Sequence, residues 1–281
     1  MSRLARSLLA QVAGAQRQLG QRSLLSDANV HAARRHVKRA RALLRLLRAT
    51  LGRKSYRRFD HELRDANREL CAGRDRAVVF DTLRATGTLR PHLRAAVSTV
   101  HSLLQRHLPV ESSLTPAAAS SPGHAARTHL LRFSAEFRRS TAPESDAGSI
   151  SAGVAARYRK GRRLFRRARR TDDLTDWHAC RRQTKYLYYQ LQWLRPTSSA
   201  RQAVLRLARG LEETIGKEHD LALLQQALRD YCATSTAAAA IDAYLRQRRR
   251  ELRSKAAGLA KSTYTDDCAR FSRRCLRAIR A

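Results

Sequence analysis

The sequence predicts an all-α fold, and three observations carry that reading. Apolar residues recur with helical spacing through nearly every segment, and no stretch alternates as a half-buried strand would. Leu, Ala and Arg, all good helix formers, fill the long segments. Turn-forming residues collect at a few places that cut the chain into helix-length pieces joined by short links, as neighbours in a helical bundle are.

The first helix is expected over 3–20, where Leu4, Leu8, Leu9 and Val12 form one stripe; Arg6 and Gln11 interrupt the apolar run and distinguish it from a secretory signal. The second, 27–50, carries Ala33, Val37, Ala40, Leu44 and Leu47 on one arc, with His31, Arg34, Lys38, Arg41, Arg45 and Arg48 on the arc beside it. Helices over 56–85 and 89–108 follow, and PVESSLTPAAASSPG at 109–123 then breaks the pattern. Helix 124–139 ends at a second break, STAPESDAGSISAG, over 140–153. Helix 152–171 contains YRKGRRLFRRARR, and helix 174–195 ends at the PTSS of 196–199. Helices 200–231 and 236–262 flank an Ala/Thr/Ser break at 233–240, and a short helix at 266–280 closes the series.

Charge narrows the partners. Lys and Arg number 57 against 23 Asp and Glu, a formal net charge of +34 with a pI near 11.6. Such an excess cannot be neutralised internally and concentrates anions around the protein, so a polyanionic partner is expected. The five cysteines, Cys71, Cys180, Cys232, Cys268 and Cys275, contain no C-x-x-C pair, so they read as reduced thiols. No stretch approaches the length of an apolar membrane span, and the expected location is the cytoplasm.

One motif recurs. HAARRHVK at 31–38 and HACRRQTK at 178–185 share His-x-x-Arg-Arg-x-x-Lys, 147 positions apart from His31 to His178. A second pair of landmarks, Arg74-Asp75-Arg76-Ala77-Val78 and His219-Asp220-Leu221-Ala222-Leu223, keeps nearly the same offset, which points to an internal duplication. In the second copy His178, Arg181 and Lys185 repeat the basic stripe, with Tyr188 and Gln192 at the positions of Arg41 and Arg45. Two such helices facing each other would line one basic groove, and charges gathered there call for anions.

HAARRHVKRARALLRLLR and WHACRRQTKYLYYQLQW closely resemble the signature helices of the CHAD family, the conserved histidine α-helical domain, and RDRAVV and HDLALL resemble the motif that follows each. The resemblance implies two pseudo-symmetric four-helix bundles around a central basic channel that binds inorganic polyphosphate. It makes 1–281 a single domain, with repeats over 1–123 and 124–281. The implied ligand residues are His31, Arg34, Arg35, Lys38 and Arg41, then His178, Arg181, Arg182 and Lys185, with Tyr188 standing where the first copy has Arg41. Arg45, Arg64, Arg68 and Arg74 are further candidates for the lining, as are Tyr158, Arg159, Arg162 and Arg166 from YRKGRRLFRRARR. The E-x-E-x-K motif of the triphosphate-processing domain often fused to this family is missing from the sequence, so a stand-alone binding module is expected. Polyphosphate granules are the location the family suggests.

The runner-up is non-specific nucleic-acid binding, and weak salt-sensitive binding to DNA is expected at this charge in any case. Against it as the main function, the first stripe has no aromatic to stack on a base. Catalysis is not expected. His31 and His36 point in different directions, arginines would repel a metal cation, and there is no Walker A loop, nucleophile elbow or paired acidic motif. Asp75 and Asp220 read as structural acceptors at helix ends. No cofactor and no metal are implied, and exposing a bundle helix to lipid would unfold its core.

Overall fold

The computed structural model describes residues 1–20, 26–71, 74–108, 122–140, 146–194, 199–265, 267 and 270–271. Among these the chain is all α: α1 (Arg3–Leu19), α2 (Asp27–Leu44), α3 (Arg48–Glu69), α4 (Arg74–Leu89), a 3-10 turn at Pro91–Leu93, α5 (Arg94–His107), α6 (Pro122–Arg139), α7 (Ala147–Thr171), α8 (Leu174–Leu194), α9 (Ser199–Tyr231) and α10 (Thr236–Thr263). The helix expected over 266–280 lies almost wholly outside the described residues. Side-chain caps mark several starts. Ser2, Ser26, Asp146 and Ser235 each accept the backbone N–H three residues on, satisfying a donor that the first turn leaves open.

Two expected helices are divided. The 27–50 segment stops at Leu44 and turns through 45–47 into α3. Just inside α3, Gly52 takes φ +70°, a left-handed conformation that a side chain would strain. The 56–85 segment ends at Glu69 and resumes at Arg74.

Helices α1, α2, α3 and α6 make the first four-helix bundle. Phe59 of α3 meets Phe133 and Phe137 of α6 edge-on, with ring centroids 5.5 and 5.2 Å away. Each ring is fully buried, a contribution of about 1.5–3 kcal/mol apiece. Helices α7 and α8 with the first half of α9 and the second half of α10 make the second bundle, where Tyr158, Phe165, Trp177 and Tyr264 form the aromatic core.

A separate core joins the halves. Val79 and Leu83 of α4 and Val100 and Leu104 of α5 pack with Leu224 and Leu228 of α9 and Ile241 and Leu245 of α10. The two motif-bearing helices, α2 and α8, thus stand in separate bundles. Helix α6 begins at the expected repeat boundary of 123/124 but packs on α1 and α3, so the first packing unit runs past that boundary.

The two bundles meet along α2 and α8. Buried Gln190 donates its amide to the Ala42 carbonyl at 2.9 Å, tying one signature helix to the other.

Candidate functional site: a basic cavity between the repeated helices

Beside the α2–α8 crossing lies a cavity of about 330 Å³. Arg34, Lys38 and Arg41 enter it from α2, and His178, Arg181, Arg182, Lys185 and Tyr186 from α8. Asn67 of α3 and Cys71 just after it form one wall, and His219 and Asp220 of α9 form another. Residues of both HxxRRxxK copies therefore share one space.

The cations differ in how they are held. Arg34 is only 7% exposed and donates to the Leu70 carbonyl at 2.6 Å, where a positive charge also suits the negative end of α3. Arg41 donates twice to Asp60, at 3.1 and 3.2 Å, and Arg45 reaches the same carboxylate at 3.3 Å. Burial opposes ionisation of Asp60, but Arg45 and Arg41 outweigh it and hold the carboxyl below its usual range. Lys185 pairs with Glu212 at 2.6 Å. Arg181 and Arg182 have no acidic partner among the described residues, and Arg181 Nε is buried without a hydrogen bond. The rings of His178 and His219 meet edge to face with centroids 4.8 Å apart.

Positive charge continues from the cavity toward α7. Tyr186 lies under the guanidinium of Arg45 at 4.0 Å and under that of Arg157 at 5.7 Å. Arg157, which donates to Gln183, is pushed down to about 10 by burial and by repulsion from Arg45 and Arg48. Lys160 is lowered by burial and by Arg157, Arg163, Arg45 and Arg182, so the same field spans both features. A site this dense in like charge favours a bound anion.

Other expected residues stand elsewhere. His31 and Arg35 are exposed on α2 without lining the cavity, and Arg45 lies beside it on Asp60. Arg64 and Arg68, with His61, surround Asp65, a carboxylate 2% exposed, at 2.8–3.4 Å. Arg74 opens α4, and its side chain lies outside the described residues. Arg159, Arg162 and Arg166 join Arg163, Arg167 and Arg170 around a separate concavity on α7 of about 810 Å³.

Three expectations are corrected. Tyr158 is 0% exposed, stacked on Phe271 at 3.8 Å and against Tyr264 at 5.2 Å, so it belongs to the core of the second bundle. Tyr188 packs against the core beside Tyr189, and Tyr186, one helical turn after Arg182, supplies the cavity's tyrosine and lies beneath Arg45. Asp220 sits within continuous α9 on the cavity wall rather than at a helix end. Sequence reasoning also missed Asn67, Cys71 and His219 as lining residues; the HDLALL landmark, counterpart of RDRAVV in the first half, was the available signal for His219 and Asp220.

Among the described residues no three His, Cys, Asp or Glu side chains group as a metal site, and no helix is long and apolar enough to cross a membrane.

Fold and site together define a duplicated helical-bundle protein with a basic cavity at the junction of its repeats. The family description "CHAD domain" matches residues 3–229, and the chain belongs to that family. Among solved structures, it resembles the crystal structure of the CHAD domain from the plant Ricinus communis, at 20% identity and a TM-score of 0.54 over 99% of this chain and 92% of that one. At that identity the likeness shows the fold. No curated protein matches the chain.

Proposed function

We propose that the cavity between α2 and α8 binds inorganic polyphosphate and that the protein acts as a non-catalytic binding module, with the whole chain as one functional unit. The observation that carries this reading is the convergence of Arg34, Lys38 and Arg41 with His178, Arg181, Arg182 and Lys185 on one space. Polyphosphate is a thin, flexible chain with about one charge per phosphate, so side chains from two helices can surround it. Arginine forks give bidentate hydrogen bonds to its oxygens and lysines add point charge. A nucleic-acid duplex is too wide for such a space, and the cavity offers one tyrosine where single-strand sites present several stacking rings. The cytoplasm and its polyphosphate granules are the location this reading suggests.

The test is a competition at roughly physiological salt between labelled long-chain polyphosphate and single- or double-stranded DNA. A variant with Lys38, Arg181, Arg182 and Lys185 changed to Ala serves as the comparison. The reading predicts that polyphosphate is preferred by at least about a hundredfold and that the folded variant loses it; each lost charge-assisted contact is worth about 1.5–3 kcal/mol. Equal competition by DNA, or undiminished binding by the variant, would contradict it.

A further inference from the structure

A second pocket, of about 420 Å³, opens between α1, α2 and the end of α8, and none of the proposed polyphosphate ligands lines it. Its chemistry differs from that of the central cavity. Tyr189 and Trp193, one turn apart on α8, present two aromatic rings, and Arg39 of α2 and Arg3 of α1 lie over them at 5.7 Å each. No acidic residue lines the pocket, and neither arginine has an ion pair among the described residues. Arg39 Nε is buried without a hydrogen-bond partner. Gln11 and Gln192 add amides at the rim, and the Gln11 carbonyl is engaged by His36 Nδ1 at 3.0 Å, which leaves its NH₂ as a donor.

Aromatic surface calls for a flat ligand, and arginines without carboxylates call for an anion. Amide groups at the rim suit heteroatoms on the edge of a base. One class of molecule joins all three features, and the volume falls within the usual range for a small-ligand site. We infer that this pocket binds a nucleoside phosphate, with its base against Tyr189 and Trp193 and its phosphates at Arg39 and Arg3. The inference does not depend on what occupies the central cavity, because it uses other residues and another ligand chemistry.

The simplest rival is that the two arginine–ring pairs merely satisfy one another, in which case no ligand is taken up. Equilibrium dialysis of the full chain with labelled ATP distinguishes these, with adenosine and inorganic tripolyphosphate as competitors. The Arg39→Met variant keeps the aliphatic packing and removes the charge, and the Arg181→Ala/Lys185→Ala double variant disables the central cavity. Thermal melting confirms that each variant is folded. The expected result is one saturable ATP per chain, weakened at least about tenfold by Arg39→Met, as for one lost charge-assisted hydrogen bond. The central-cavity variant should retain that ATP, and tripolyphosphate should compete at least about tenfold less well than ATP. Absence of saturable binding, equal binding by Arg39→Met, equal competition by tripolyphosphate, or loss of ATP in the central-cavity variant would each overturn the inference.

Discussion

The proposal that the central cavity binds polyphosphate implies a salt dependence that follows from the cavity lining. Six permanent cations face the space: Arg34, Lys38, Arg41, Arg181, Arg182 and Lys185. On a flexible single-stranded polyanion each phosphate neutralised contributes about −0.7 to the slope of log K against log salt, so six contacts give about −4. Raising monovalent salt from about 50 to about 200 mM should then weaken binding by about 2.5 orders of magnitude. Changing Arg181 and Arg182 to Gln removes two cations that have no acidic partner among the described residues, so no carboxylate is left unpaired. The slope should fall to about −3, and the same salt change should cost about 1.7 orders of magnitude. Fluorescence anisotropy with end-labelled polyphosphate across a salt series measures both slopes. A slope unchanged by the double substitution, or a parent slope near −1, would refute the assignment of these side chains to the bound anion.

Two further outcomes follow from individual residues. Arg34→Ala removes the donor to the buried Leu70 carbonyl, so it should destabilise the fold by about 1–3 kcal/mol in thermal denaturation, whereas exposed Arg182→Ala should stay within about 0.5 kcal/mol. His36 is held below its ordinary pKa by burial and by Arg39, Arg35 and Arg17, so the unfolded chain takes up a proton there before the folded one does. Stability should therefore fall as pH drops through the ordinary histidine range, about 6.5, toward the depressed value, and denaturant melts of His36→Gln should show a flatter profile.

The all-α class and most helix positions were legible because apolar stripes and turn residues are local signals. The basic stripe of α2 and its copy in α8 were legible for the same reason, and their recurrence announced a shared site. What sequence could not supply was rotation and partnership. Helical spacing puts Tyr186 and Tyr188 at opposite edges of the arc formed by His178, Arg181, Arg182 and Lys185, and the α2–α8 crossing decides that the Tyr186 edge is the one presented to the cavity. Tyr158 stands among arginines in the sequence, yet its ring is held in a core with Tyr264 and Phe271, more than a hundred residues downstream. Arg45 reads as a free cation until packing brings Asp60 of α3 to it, whereas Arg64 and Arg68 meet Asp65 within α3 itself, a neighbourhood that helical spacing does contain. Helix α6 follows the long break at 109–123, which reads as a repeat boundary, but its Phe133 and Phe137 complete the first bundle against Phe59.

The central claim is that both copies of the motif hold one anion in one space, and Cys71 reports on it directly. This exposed thiol lies just beyond α3, on the wall built by the first half, while Cys180 and Cys232 are buried, and burial lifts the Cys180 thiol to about 12. Alkylation of the parent protein, mapped cysteine by cysteine with and without polyphosphate, should show Cys71 reactive alone and protected by the polyanion. The same map on an Arg181→Ala/Lys185→Ala variant changes only the second half of the chain. The account predicts that protection of Cys71 is then lost. Full protection in that variant, or no protection in the parent, would show that the two stripes do not share a ligand in this cavity.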